Sequence, residues 1–217
     1  MAVSALQLAE LALNGAAFLC GIVSAAALTV TQGAFGGRCV LYGAASWNGT
    51  ALTLKSFSHV SLCYFVSAVS VLVALYCFSA LLYGIYSCCV GESHWDRTWL
   101  SIALAVAAVI LFFLLVSACV LRVGMDTLCA SVTQAAGLAS CRAAQGKPWP
   151  SYDATRFYSN LYSAQASAWV NVFLWCLLLA LLVAQRRRAA PFALLQRSDP
   201  EWSAETEAIF GGRPARP

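Results

Sequence analysis

The side chains able to do chemistry are few and poorly placed for catalysis. The two histidines, His59 and His94, are separated by a long apolar run, so a membrane-spanning reading puts them on opposite faces, where they share neither a metal ion nor a catalytic dyad. The ten cysteines contain no Cys-x-x-Cys pair. No glycine-rich phosphate loop, His-Glu-x-x-His or Gly-x-Ser-x-Gly motif occurs. Asp126 and Asp153 are the acids on the His59 side, too few to specify an acid–base pair. The sequence therefore predicts no catalytic residue, no metal ligand and no cofactor, and the chain reads as a non-enzyme.

The cysteines carry a different message. Cys20, Cys77, Cys119 and Cys176 lie within apolar runs and read as small packing residues. Cys39, Cys63, Cys129 and Cys141 lie in the connections or at a span edge, an even set that predicts two disulfides with three possible pairings. A helix capped by Asp126 and reaching Cys141 would hold Cys129 and Cys141 about 18 Å apart, beyond disulfide reach. Gly137 is positioned to break such a helix, so pairing inside the third connection stays open beside a bridge between the first and third. Cys88-Cys89 follows the second apolar run, a juxtamembrane placement typical of S-palmitoylation. Asn48-Gly49-Thr50 is an N-glycosylation acceptor.

These residues hang on a strongly apolar frame. Of 217 residues, 61% are hydrophobic and 10% charged, with 13 Lys and Arg and nine Asp and Glu. Soluble domains carry about 25% charged residues, which excludes a soluble enzyme, a disordered chain and a coiled coil. Nothing points to nucleic acid. A span needs roughly 20 apolar residues, and four runs qualify: about 11–30, 62–86, 100–121 and 168–184. The expected fold is an all-α membrane protein, a four-transmembrane-helix bundle over 1–184 followed by a largely flexible cytosolic tail over 185–217. Ala25-Ala26-Ala27 also fits a signal-peptidase site, but the preceding segment lacks Lys and Arg and holds Glu10, so the first run is read as a retained span.

Orientation follows from flanks. Lys and Arg are nearly balanced between the faces, yet Arg186, Arg187 and Arg188 directly follow the fourth run, a stop-transfer flank that favours the cytosol. The sequon and the four connection cysteines belong on the opposite, luminal or extracellular side. Both termini are thus expected to be cytosolic, with two luminal loops, in the plasma membrane or in secretory or endosomal vesicle membranes.

Inside the spans, Ala17, Gly21 and Ala25 give a small-residue face, repeated more briefly by Ala103 and Ala107. Such faces pack helices within the bundle or against other membrane proteins or a second copy. Asn14 and Asn171 lie at opposite ends of their spans and are each expected to hydrogen-bond to another helix. Phe157, Leu161, Ala164 and Ala168 extend the fourth helix above its span, with Tyr162 and Trp169 in the interfacial belt. In the tail, Asp199-Pro200 reads as a helix start. Trp202, in an acidic stretch with Glu201, reads as an anchor for a cytosolic adaptor, and Glu205, Ile209 and Phe210 loosely resemble an acidic dileucine sorting signal.

Several runs match a known family. They include Phe18-Leu19-Cys20-Gly21, Thr31-Gln32-Gly33, Arg38-Cys39, Leu41-Tyr42-Gly43 and Leu62-Cys63-Tyr64-Phe65. Further along come Val116-Ser117-Ala118-Cys119, Phe157-Tyr158-Ser159-Asn160-Leu161, Trp169-Val170-Asn171, Trp175-Cys176 and Asp199-Pro200-Glu201-Trp202-Ser203. On these the chain resembles the transmembrane protein 179 family, closest to its B form. The resemblance implies a four-span membrane protein and supplies no activity, ligand or catalytic residue. A claudin pattern fits less well, since the first loop holds Trp47 with Cys39 and no second cysteine, and the Cys-Cys-Gly of tetraspanins is absent. The function expected is a non-enzymatic organiser or escort of other membrane proteins, the alternative being a subunit or pore-lining element of a channel or transporter.

Overall fold

The computed structural model describes residues 5–90, 97–150 and 152–210, and side chains within 5–89, 99–150 and 152–187. Four long helices carry the chain: α1 (Ala5–Ala34), α2 (Val60–Val90), α3 (Arg97–Ala136) and α4 (Phe157–Phe210). Each is long and apolar enough to cross a bilayer, and helices are the form in which a single segment satisfies its own backbone in hydrocarbon. The protein is an integral multi-pass membrane protein with a four-helix bundle. α1 is central, packed between α2 and α4, while α3 closes on α4 and touches α2 only sparsely.

The contact between α1 and α2 is set by small residues. A Cβ on Gly21 would stand 3.0 Å from the Ser70 carbonyl oxygen and 3.1 Å from the Ala74 Cβ, so glycine is what lets these helices close. Ala17 is fully buried on the same stripe. The small-residue face thus packs inside the bundle.

Between α1 and α2 the chain forms a two-stranded antiparallel hairpin, β1 (Cys39–Trp47) and β2 (Leu52–Ser58), which the sequence did not announce. Gly36 and Gly37, both at positive φ, end α1 and turn the chain into β1. Asn48 to Ala51 make the hairpin tip, with Gly49 at φ 77° and the Asn48 amide donating to the Ala51 carbonyl over 3.0 Å. Pairing is regular from Ala45–Leu54 to Trp47–Leu52 and shifts nearer the membrane, where β1 leaves β2 to pack on α3.

On the hairpin side α3 and α4 extend well past the apolar runs 100–121 and 168–184. α3 continues unbroken to Ala136, so Asp126 does not cap a separate helix; it lies mid-helix, exposed, paired with Arg122 at 2.9 Å. Gly137 at φ 60° then stops the helix, and a short 3₁₀ turn, Cys141–Gly146, leads towards α4. α4 begins at Phe157, with Leu161, Ala164 and Ala168 buried beneath it. Its backbone stays helical to Phe210, through the stretch expected to be a flexible tail.

Candidate functional site

Two regions gather the polar and aromatic groups: a cap at the hairpin end and a cavity at the terminal end.

The cap is braced by two disulfides. Cys39 bonds to Cys63 with Cα atoms 5.8 Å apart, and Cys129 to Cys141 with Cα atoms 5.1 Å apart. The first ties the base of β1 to the first turns of α2. The second folds the chain back onto α3, a pairing made possible because Gly137 ends the helix. A bridge between the first and third connections does not form. Phe35, 1% exposed, sits at the centre of an aromatic cluster, with ring centroids 5.9 Å from Trp149, 5.3 Å from Tyr152 and 6.3 Å from Phe157. The Trp149 indole donates to the Ala144 carbonyl over 3.0 Å, and Arg38 stacks on Phe57 at 5.0 Å. The hairpin is pinned by two further bonds: the Leu52 amide donates to the Pro148 carbonyl over 3.1 Å, and the Ala45 amide to Ser131 Oγ over 2.7 Å. Asn48 is exposed at the tip, and His59 is exposed with Nδ1 3.0 Å from Ser61 Oγ.

At the other end a cavity of about 410 Å³ lies among all four helices. Glu10 and Asn14 on α1, Tyr76 and Tyr83 on α2, Trp99 on α3 and Trp175 on α4 mark its extent. Tyr83, Trp99 and Ile102 are half-exposed, so the mouth lies between α2 and α3, the neighbouring helices of the bundle that touch most sparsely. Gln185 Nε2 donates to Glu10 Oε2 over 3.2 Å. Asn14 does not bond to another helix as expected; its amide donates to the Glu10 carbonyl, one turn back on α1, over 2.9 Å. Asn171 Oδ1 and the indole N–H of Trp175, both in buried side chains, have no partner. The Tyr76 and Trp175 rings meet at 5.7 Å across the cavity.

Cys88 lines this cavity, whereas Cys89 is exposed and does not. The two cysteines therefore meet different surroundings. Arg186 and Arg187 are exposed on α4. His94 and the side chains of Arg188, Glu201, Trp202, Glu205, Ile209 and Phe210 lie outside the described residues. Among the described residues no three His, Cys, Asp or Glu side chains cluster as a metal site. The sequence reading missed Tyr76, Tyr83, Trp99 and Trp175 as a set. A signal was present in Glu10, Asn14, Ala17 and Gly21, whose four-three-four spacing places two polar side chains on the small-residue stripe of α1.

Comparison with known proteins agrees with this architecture. Residues 6–210 match the family model of the transmembrane protein 179/179B claudin domain. The chain is 53% identical to transmembrane protein 179B of Homo sapiens over 98% of both chains. It is 48% identical to that of Mus musculus and 42% identical to that of Danio rerio, each over 97% of both chains. No solved structure matches. The first loop holds one cysteine, Cys39, and the cysteine that closes it is Cys63, which stands outside the loop on α2, so the claudin-type pair is present although the loop sequence alone does not contain it.

Proposed function

The chain belongs to the transmembrane protein 179/179B family, and we propose that it is a non-enzymatic tetraspan that organises or escorts other membrane proteins of the secretory pathway. On this reading the hairpin end is luminal or extracellular and both termini are cytosolic. The exposed sequon at the hairpin tip and the disulfides at the same end support that orientation, as does the Arg186–Arg188 flank.

The observation that carries the organiser reading is the bracing of the cap. Two disulfides, the Phe35 cluster and the hydrogen bonds to Pro148 and Ser131 hold the hairpin as a fixed platform. A preordered surface binds a partner without first losing loop entropy. The tail is the proposed contact for a cytosolic adaptor.

The cavity keeps a second reading alive, that of a channel or transporter element. A pore would have to continue towards the hairpin end, but there Gly21 closes against Ser70 and Ala74, and Ser70 Oγ bonds to Ser24 Oγ at 3.3 Å. The cavity is one-sided in this packing.

Affinity purification through a tag on the tail, in mild detergent, followed by mass spectrometry, tests the organiser role. A stoichiometric membrane partner is the expected result, lost when the hairpin tip is replaced by a short linker. Recovery of the chain alone would overturn it, and flux measurements in liposomes would then test the pore reading.

A further inference from the structure

We propose that the cavity binds a single-chain amphiphile with a cationic amine head, its ammonium held at Glu10 and its alkyl tail lying towards Trp175. The inference concerns the bundle interior and does not depend on which membrane face is cytosolic.

Charge comes first. Glu10 is the acid of the cavity lining, partly buried at the membrane end of α1, and its bonded neighbour Gln185 is neutral. Among the described residues it has no ion pair; Arg186 and Arg187 follow Gln185 on α4 but neither is bridged to it. Glu10 thus offers a carboxylate at one end of an otherwise largely apolar cavity, and an ammonium would pair with it directly. Tyr83 and Trp99 also line the cavity, and aromatic rings attract a cation placed over them by their quadrupoles.

Size and shape set the rest of the ligand. The volume of about 410 Å³ falls within the range of small-molecule pockets. A pocket of this size suits one alkyl chain with its head group. Along α2 the lining runs from Cys88 to Tyr76, about 18 Å at 1.5 Å per residue. That is close to one leaflet of a hydrocarbon core about 30 Å thick, and the mouth between α2 and α3 faces the lipid from which such a molecule would enter. Ala103, Ala107 and Leu178 make the inner wall apolar.

The test uses the full chain in nanodiscs of zwitterionic lipid and three probes, a saturated C16 amine, alcohol and carboxylate, each brominated near the tail end. Bromine quenches indole fluorescence on contact, and Trp175→Phe assigns the signal to the cavity. The amine is expected to bind about tenfold more tightly than the alcohol, as a charge-assisted bond does over a neutral one, with the carboxylate weakest. Glu10→Gln should bring amine and alcohol within about twofold of each other. Ala103→Phe, which fills the cavity and leaves Glu10 in place, should abolish quenching by all three. Equal binding of the three heads, an amine preference that survives Glu10→Gln, or quenching that survives Trp175→Phe unchanged would each overturn the proposal.

Discussion

Gly124 of α3 lies directly beneath Leu41 of β1. A Cβ at Gly124 would stand 2.7 Å from Leu41 Cδ2 and 2.9 Å from Leu41 Cβ, with the Tyr42 ring 3.0 Å away. Tyr42 itself holds φ 61°, a left-handed conformation uncommon for a non-glycine residue. The shift in strand pairing between Cys39 and Ala44 falls at the same place. The strand is thus bent out of register to seat on a glycine of the longest described span.

Gly124→Val should therefore lift the hairpin from α3. Overpacking of this kind costs about 1–3 kcal/mol, read as a lower thermal midpoint in detergent together with faster proteolysis of 39–58. Gly15→Ala is the control: nothing lies within 4 Å of its Cβ position, and the midpoint should not fall.

The two bridges predict a specific peptide map. Digestion without reduction should yield Cys39 linked to Cys63 and Cys129 linked to Cys141, with no cross-linked peptide joining the two loops. Loss of either bridge by a double Cys→Ser change should cost about 3 kcal/mol on the loop-entropy scale, visible as a lower unfolding temperature. A Cys39–Cys129 or Cys63–Cys141 peptide would refute the pairing.

Asn48 at the exposed hairpin tip is the proposed glycan site. Expression in cells with N-glycosylation should give a glycosidase-sensitive gel shift that Asn48→Gln removes. Protein of unaltered mobility in both forms would place the hairpin away from the glycosylation machinery or leave the site unused, and the orientation would then rest on the two disulfides and the Arg186–Arg188 flank.

Cys88 and Cys89 should differ in reactivity. Cys89 is exposed while Cys88 is half-buried against the cavity, so a bulky maleimide should label Cys89 first. Hydroxylamine-sensitive acyl exchange should accordingly disappear in Cys89→Ser and persist in Cys88→Ser. The reverse pattern would assign the proposed acylation to the cavity thiol.

The four helices were legible because hydrophobicity in a membrane protein is a property of one segment at a time. The extension of α4 above its span was also legible, since Phe157, Leu161, Ala164 and Ala168 keep helical spacing. The hairpin was not. Cys39–Trp47 shows no alternation of apolar and polar residues, because its first residues are all buried, against α3 and the cap, and later ones are only half-covered. Asp126 misled for a related reason: an N-cap residue and an exposed i,i+4 partner of Arg122 are the same side chain in sequence, and only the continuity of α3 distinguishes them. The cavity depends on how little α2 and α3 touch, a relation between distant segments that no single span records.

Each disulfide closes within its own pair of helices. Cys39–Cys63 lies wholly in 5–90 and Cys129–Cys141 wholly in 97–210. During synthesis the first pair can insert and oxidise before the third helix has been translated. The broadest helix contact then joins α1 to α4, the first and last spans made. Covalent closure is thus finished locally and early, whereas the bundle is completed only when the final helix arrives to embrace the first.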